Sequence, residues 1–366
     1  MCYPYSAGSR FRVQAGVRPI SGEAWCGRFE ADVKDATAVF AATFREPDDM
    51  AAALRCVAVD YLSTRRSPGV VPYEASLAVV QFGRITIQHA DDDAHIASGE
   101  VARDSAVLLL PIDGTVAGLA VNAYRAGPTD AVLFSPGAEL RTVCPGRQAW
   151  AAVSISGYDA VTEWADLPAE GCFAALPGFL GRDPSFVSQL IELGWLARHD
   201  RARLAEGSVP EALAEQWASA LARALGAALP ASRASSGPGR MLHRRVRLVA
   251  AAEEKLAGEI GRPIYSDGFA ASLGVSVRTL HDAFQAVFGM GVQSYLQNRR
   301  LHLVRAALRR GAGRSDLVKE VALRFGFWHL GRFAQAYQVA FGELPSATLA
   351  AAISRRGAVA RASAAD

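Results

Sequence analysis

Apolar positions follow two different periods along the 366 residues. Up to about Gly157 they come in short alternating or continuous runs: Phe11-Arg-Val-Gln, Trp25-Cys-Gly-Arg-Phe29, Leu77 to His89, Ala106 to Ile112, Thr115 to Val121, Ala131 to Phe134 and Trp150 to Ile155. Between them stand turn residues, among them Ser67-Pro-Gly, Asp113-Gly114, Gly127-Pro-Thr-Asp130 and Pro136-Gly137. Many short strands separated by such turns predict an antiparallel sandwich or barrel. Lys34 to Phe44 stands apart: Ala38, Phe40, Ala41 and Phe44 have helical spacing, so one helix is expected there, ended by Pro47-Asp-Asp. Ala52 to Tyr61 is read as another short segment of the strand-rich part.

From Asp183 the period lengthens to that of an amphipathic helix. Ser185 to Arg203 carries Phe186, Val187, Leu190, Ile191, Leu193 and Leu196, and Pro210 opens a second helix with Leu213, Trp217, Ala220 and Leu221 inward. Residues 231–239 (ASRASSGPG) are small, polar and rich in Gly and Pro, the composition of a linker. Beyond it, Phe269, Ala270 and Leu273 form one apolar face, and Gly274 ends that helix because glycine reaches φ > 0 without steric penalty. Ser276 is placed to cap the next helix, whose Leu280, Phe284 and Phe288 face inward. Such a pair of helices around a glycine turn is the supersecondary unit that reads DNA. The grammar then repeats. After a basic helix from Gln293 to Arg310, Asp316 caps Leu317 to Phe325, Gly326 turns the chain, and His329 to Phe341 runs with Leu330, Phe333 and Tyr337 inward. Gly342-Glu-Leu-Pro345 stops it.

Charge sharpens this division. From Arg240 onward 19 Lys and Arg stand against 9 Asp and Glu; before it the count is 20 against 27, within a net charge of +3. A basic block that coincides with the paired helical units marks a polyanion binder. No apolar run of about 18 residues is present, so no membrane span is expected. Met1-Cys-Tyr-Pro-Tyr-Ser lacks an export pattern, and Cys2, Cys26, Cys56, Cys144 and Cys172 never form a C-x-x-C pair. A cytoplasmic protein with reduced thiols and no zinc site is expected.

The residues Ser276-Val-Arg-Thr-Leu-His-Asp-Ala-Phe284, Gly291-Val-Gln-Ser-Tyr-Leu296 with Arg300-Leu301, and Glu320-Val-Ala-Leu-Arg-Phe-Gly-Phe-Trp-His-Leu-Gly-Arg-Phe333 resemble the AraC/XylS transcription regulators, and Tyr337, Phe341-Gly342 and Pro345-Ser346 complete the likeness. The resemblance is close over the last third of the chain. It implies a multidomain α+β architecture: a cupin-like β jelly roll with following helices, then an all-α tandem helix-turn-helix. The expected divisions are an effector-binding domain at 1–165, a helical dimerisation or packing region at 183–229, a linker at 230–240, the DNA-binding domain at 241–350 and a disordered tail at 351–366. The implied partners are double-stranded promoter DNA, RNA polymerase, a small-molecule effector and a second copy in a homodimer. The implied sign of regulation is activation, through an effector that biases the orientation of the two halves across the linker.

Base reading needs side chains that project from a recognition helix into the major groove. In the first unit Ser276, Arg278, Thr279, His281 and Asp282 remain on the outer face, with Arg278 suited to guanine and Asp282 either to cytosine or to Arg278 itself. Relatives usually carry a basic or polar residue where Asp282 stands. His329, Gly331, Arg332 and Gln335 are the corresponding candidates of the second unit, with Gln335 suited to adenine. Arg299, Arg300, Arg305, Arg309 and Arg310 line the joining helix as candidate phosphate contacts or as its solvated face. That helix is expected to set the readers roughly 34 Å apart, in successive major grooves. Tyr265 occupies the first unit's capping position, which leaves Ser266 or Asp267 to cap it.

For the N-terminal half, Trp25, Phe82, Ile87, His89 and Trp150 are the candidate effector contacts, with Ile85, Ile87 and His89 aligned on one strand face. Aromatics on strands more commonly belong to a core. His89 and His95 flank Asp91-Asp-Asp93, read as an exposed acidic turn, and their spacing does not suit a metal. No cofactor, nucleotide loop or catalytic triad is apparent. The rival reading is a metal-dependent cupin enzyme with a DNA-binding tail; a ligand-independent architectural DNA binder and a DNA-repair fusion are further alternatives.

Overall fold

Two stacked antiparallel sheets precede an all-helical region in the computed structural model of the chain. Residues 1–36, 56–58, 64–72, 83, 113–118, 158–169, 183, 200–218, 221–222, 224–239, 263, 311–316 and 364–366 lie outside the described structure. So do Trp25, the linker, most of the helix expected from Pro210, and the Asp316 cap.

The strands are β1 (Thr37–Phe44), β2 (Val59–Ser63), β3 (Ala75–Phe82), β4 (Ile85–Asp92), β5 (His95–Glu100) and β6 (Ser105–Pro111). They continue with β7 (Ala120–Val121), β8 (Tyr124–Arg125), β9 (Ala131–Phe134), β10 (Glu139–Cys144), β11 (Gln148–Ser156) and β12 (Phe173–Leu176). The larger sheet has the order β1-β3-β4-β11-β6-β9-β12 and the smaller β2-β5-β10-β7-β8. The expected fold class therefore holds, as a sandwich of two sheets not closed into a barrel. Phe44, Met50, Leu77, Phe134 and Trp150 pack between the sheets.

The turn at Gly127 is built on Asp130. Its Oδ2 accepts from the Gly127 N–H and the Tyr124 hydroxyl, each at 2.8 Å, and its Oδ1 from Gly178 N–H at 2.9 Å. Burial would raise this carboxyl, but the Gly178, Gly127 and Tyr124 bonds hold it below its ordinary range.

The structure corrects three local expectations in this half. Residues 37–44 are β1, not helix: the strand pairs with β3 from Thr37↔Phe82 to Phe44↔Ala75. Ala42 and Phe44 face the sandwich interior and Ala41 the opposite side, so the same apolar residues serve a period of two. Pro47 does not terminate a helix but opens one, α1 (Pro47–Arg55), with Asp48 and Asp49 in the first turn where the helix dipole favours acids. Asp91 to Asp93 is no exposed turn either. Asp92 ends β4 fully buried, accepting hydrogen bonds from Tyr61 and Tyr73, both at 3.0 Å.

Two helices, α2 (Phe179–Arg182) and α3 (Pro184–His199), cover the outer face of the larger sheet, with Phe179, Phe186 and Leu190 against Ile85, Ile87 and Val153. The sheet is thus buried on both faces.

The C-terminal region comprises α4 (Arg240–Glu259), α5 (Ser266–Ser272), α6 (Val277–Phe288), α7 (Val292–Arg310), α8 (Leu317–Arg324), α9 (Leu330–Phe341) and α10 (Pro345–Ser363). It has two cores. Leu256, Phe269, Leu280, Phe284 and Tyr295 fill the first, and Leu301, Val304, Val321, Phe333 and Tyr337 the second. Where a disordered tail was expected from residue 351, α10 continues to Ser363. Leu349 and Ala352 are buried on it, and its alanine-rich sequence has high intrinsic helix propensity.

Candidate functional site

Helices α5 and α6 form the first helix-turn-helix unit. Gly274 sits in the turn at φ +69, and the Ser276 hydroxyl accepts from Thr279 N–H at 3.1 Å, capping α6. Tyr265 is the N-cap of α5 and gives it no side-chain bond, so neither Ser266 nor Asp267 takes that place. With Leu280, Phe284 and Phe288 buried, α6 leaves Ser276, Arg278, Thr279, His281 and Asp282 exposed together. The Arg278 side chain is 92 % exposed, and its Nε lies 3.8 Å from Asp282 Oδ2, one turn on. His281 Nδ1 is 3.7 Å from the same carboxylate. One acid thus stands beside the Arg278 guanidinium and the His281 ring on the outer face, where it can orient Arg278 as well as accept from a base.

In the second unit, α9 begins at its N-cap His329 and ends at Gly342. Phe333 and Tyr337 are buried, while His329, Gly331, Arg332 and Gln335 are exposed. Trp328, just ahead of the helix, is 61 % exposed. Tyr337 donates to or accepts from Thr348 Oγ1 at 2.9 Å, which ties α9 to α10.

The joining helix α7 departs from the simple picture of a phosphate-facing arginine row. Arg299 Nη1 lies 3.3 Å from the Tyr295 hydroxyl, and Arg300 donates to two backbone carbonyls. Arg305 and Arg309 turn to the sandwich. Arg305 is 6 % exposed; it meets Glu46 at 2.5 Å, Asp48 at 3.3 Å and Glu343 at 3.4 Å, and its guanidinium lies 4.6 Å over the Phe341 ring. Arg309 pairs with Asp48 at 3.0 Å and Asp49 at 3.3 Å. Arg309 therefore serves α1 in this arrangement. His302 Nε2 lies 2.8 Å from the Ser63 carbonyl.

A further contact joins the halves. Arg141 on β10 donates to Glu253 on α4 at 2.6 Å and to Glu139 at 2.7 Å, and Glu253 also accepts from Tyr295 in the first core. Leu62 and Ile96, on the outer face of the smaller sheet, pack into that same core. These interdomain residues were not legible as a site. The one available signal was an acidic Glu46-Pro-Asp-Asp run in a chain whose far end is basic.

Burial holds His302 below its ordinary value of 6.5. A histidine buried in its neutral form binds its proton more readily once released, so the docked form loses stability as pH falls below about 6.5. The loss amounts to at most about 1.4 kcal/mol per pH unit. Wild type should lose thermal stability relative to His302→Gln as pH falls from 7.5 to 5.5 (about one unit either side of that value). The comparison with the variant separates this loss from His95, whose raised value acts in the opposite direction.

Between the two sheets lies a cavity of about 380 Å³. Thr86, Gln88 and Trp150 line it from the larger sheet, and His95, Thr142 and Cys144 from the smaller. Of the expected effector contacts, Trp150 is on this wall. Ile87 and His89 are buried on the opposite face of the larger sheet, because inward and outward positions on β4 alternate. Nothing is described of the Phe82 side chain or of Trp25. His95 was missed as a lining residue. Its ring stacks on Tyr61 at 4.9 Å, and Nδ1 lies 2.8 Å from the Asp93 carbonyl and 3.4 Å from Asp92. Burial draws His95 down, but the Cys144 sulfur and the Asp92 carboxylate beside it push it up to about 10. Strands β5 and β10 are the shared wall: His95 and Cys144 face the cavity, while their neighbours Ile96 and Val143 face the first helix-turn-helix core. Among the described residues no group of three or more His, Cys, Asp or Glu side chains is placed to hold a metal ion. Nor is any described helix long and apolar enough to cross a membrane.

The family profile described as "Helix-turn-helix domain" matches residues 269–351. The XylDLEGF operon transcriptional activator of Pseudomonas putida is 44 % identical over 75 residues, which are 20 % of this chain and 23 % of that protein. A probable thc operon regulatory protein of Rhodococcus erythropolis is 36 % identical over 102 residues, 28 % of this chain and 31 % of its own length. The chain thus spans less than a third of these curated relatives. Among solved structures, a probable AraC family transcriptional regulator from Rhodopseudomonas palustris is 35 % identical, with a TM-score of 0.27, over 29 % of this chain and 97 % of that one.

Proposed function

From a C-terminal third that is an AraC/XylS-type tandem helix-turn-helix domain, we propose that this protein is a transcription regulator that binds promoter DNA and takes a small-molecule effector between its two sheets. The observation that carries the first part is the pair of recognition helices, α6 and α9. Each buries its aromatic stripe and leaves a row of polar side chains in solvent, Arg278 to Asp282 on one and His329 to Gln335 on the other. The surplus of basic residues after Arg240 supplies attraction for the phosphate backbone. Activation is the sign supported by the relative from Pseudomonas putida, whose name is that of an activator. Contact with RNA polymerase follows as the means.

The effector part rests on the cavity and its wall. A molecule seated against His95 and Cys144 presses on strands whose other face packs on the first reading unit. Occupancy and DNA binding are therefore coupled, and the coupling is reciprocal. Thermal-shift titrations of small molecules, with and without bound operator, measure it; equal shifts in both conditions would contradict the coupling.

Selection of binding sites from a random duplex library tests the DNA reading directly. Once a site is in hand, Arg278→Ala is expected to lose about 1–3 kcal/mol of discrimination at one base position and to leave the others unchanged. A uniform weakening across all sequences would move Arg278 from the bases to the backbone.

A further inference from the structure

The two reading units are clasped to each other beside the middle of the joining helix, at Arg300. Arg300 donates from Nε to the Ile260 carbonyl at 2.7 Å and from Nη2 to the Arg262 carbonyl at 2.5 Å. Both carbonyls lie just past the C-terminal end of α4, where a helix leaves acceptors unsatisfied and carries partial negative charge. Gly326, immediately beyond α8, approaches the same guanidinium from the second unit at φ +81. A Cβ there would lie 3.1 Å from Arg300 Cζ and 3.3 Å from the Gly261 carbonyl oxygen. Gly261 in turn has no room for a Cβ, which would fall on the Arg324 carbonyl. Helix α4 packs on α6, the first recognition helix, whereas Arg324 and Gly326 belong to the second unit.

We infer that Arg300, Gly261 and Gly326 form a positioning clasp that fixes the distance and rotation between the two recognition helices, and so sets which operator spacing the protein accepts. This rests on the DNA reading proposed above. A single connecting helix lets the units swing about its ends, and a second point of attachment removes that freedom. Each base pair inserted between two half-sites moves the second by about 3.4 Å and rotates it by roughly 34°. A rigid pair of readers cannot follow both changes. Arg300 acts by bonding the Ile260 and Arg262 carbonyls and by packing closely against Gly326 of the second unit.

The test uses the full chain and the duplex it selects from a random library. Dissociation constants are measured by fluorescence anisotropy for that duplex and for versions with one base pair added or removed between the two half-sites. Wild type is expected to lose roughly tenfold or more in affinity at either altered spacing. Arg300→Gln and Gly326→Ala are each expected to lose less than about threefold, while base preferences within each half-site stay unchanged. If Arg300→Gln fails to fold, Gly326→Ala and Arg300→Lys are read in the same way. Retained wild-type discrimination in the folded variants overturns the clasp. So does an equal loss at every spacing with a salt dependence shallower by about 0.9, the signature of a lost phosphate contact. A wild-type chain that selects no duplex overturns the DNA reading itself, a result distinct from either.

Discussion

Arg305→Ala is expected to destabilise the protein by about 3–5 kcal/mol and to separate unfolding of the sandwich from that of the helical region. The guanidinium is almost wholly buried where the two halves meet, between Glu46 and Asp48 of the sandwich side and Glu343 of the helical side. Removing it leaves three carboxylates close together with no cation at the centre, which is why the cost exceeds that of an exposed pair. Arg309 remains with Asp48 and Asp49 and recovers only part of the loss. Differential scanning calorimetry should show one transition in the wild type and two in the variant. A single transition within 1 kcal/mol of wild type (about the worth of an exposed ion pair) would show that the contact does not hold the halves together.

Phe284→Ala should cost about 3–5 kcal/mol, from lost burial and the cavity left behind. Phe284 is fully buried, with ring centroids 5.8 Å from Phe288 and 5.4 Å from Tyr295. These three rings lock α6 to the start of α7, so the damage extends to function: the first recognition helix loses its fixed orientation. Urea unfolding measures the stability. A binding-site selection on the variant should lose the half-site read by α6 and keep the one read by α9. A cost under about 1.5 kcal/mol would mean the site collapses around the smaller side chain.

The helical half was readable because its signals are local. The stripes Leu280-Phe284-Phe288 and Phe333-Tyr337, the Ser276 cap and the Gly274 turn each depend on residues within a few positions of one another. In the sandwich, local pattern had less to say. Strand β4 is covered on one face by helices and on the other by the second sheet, so Ile85 and Ile87 look outward and Gln88 inward although all are in the interior. Residues 37–44 suit a helix or a strand by spacing, and hydrogen bonding to β3 decided between them.

By its own sequence the chain determined where α6 and α9 start and stop, which aromatic residues enter the cores beneath them, and which polar side chains they leave outside. Spacing along a helix and the conformational freedom of glycine are enough for that. Only the tertiary structure decided what the arginines of α7 do. Arg305 and Arg309 meet acids about 260 positions earlier, and Arg300 meets carbonyls about 40 positions away. A charge on an apparently solvated helix face acquires its partner only when distant segments pack, and no periodicity in one segment can anticipate that.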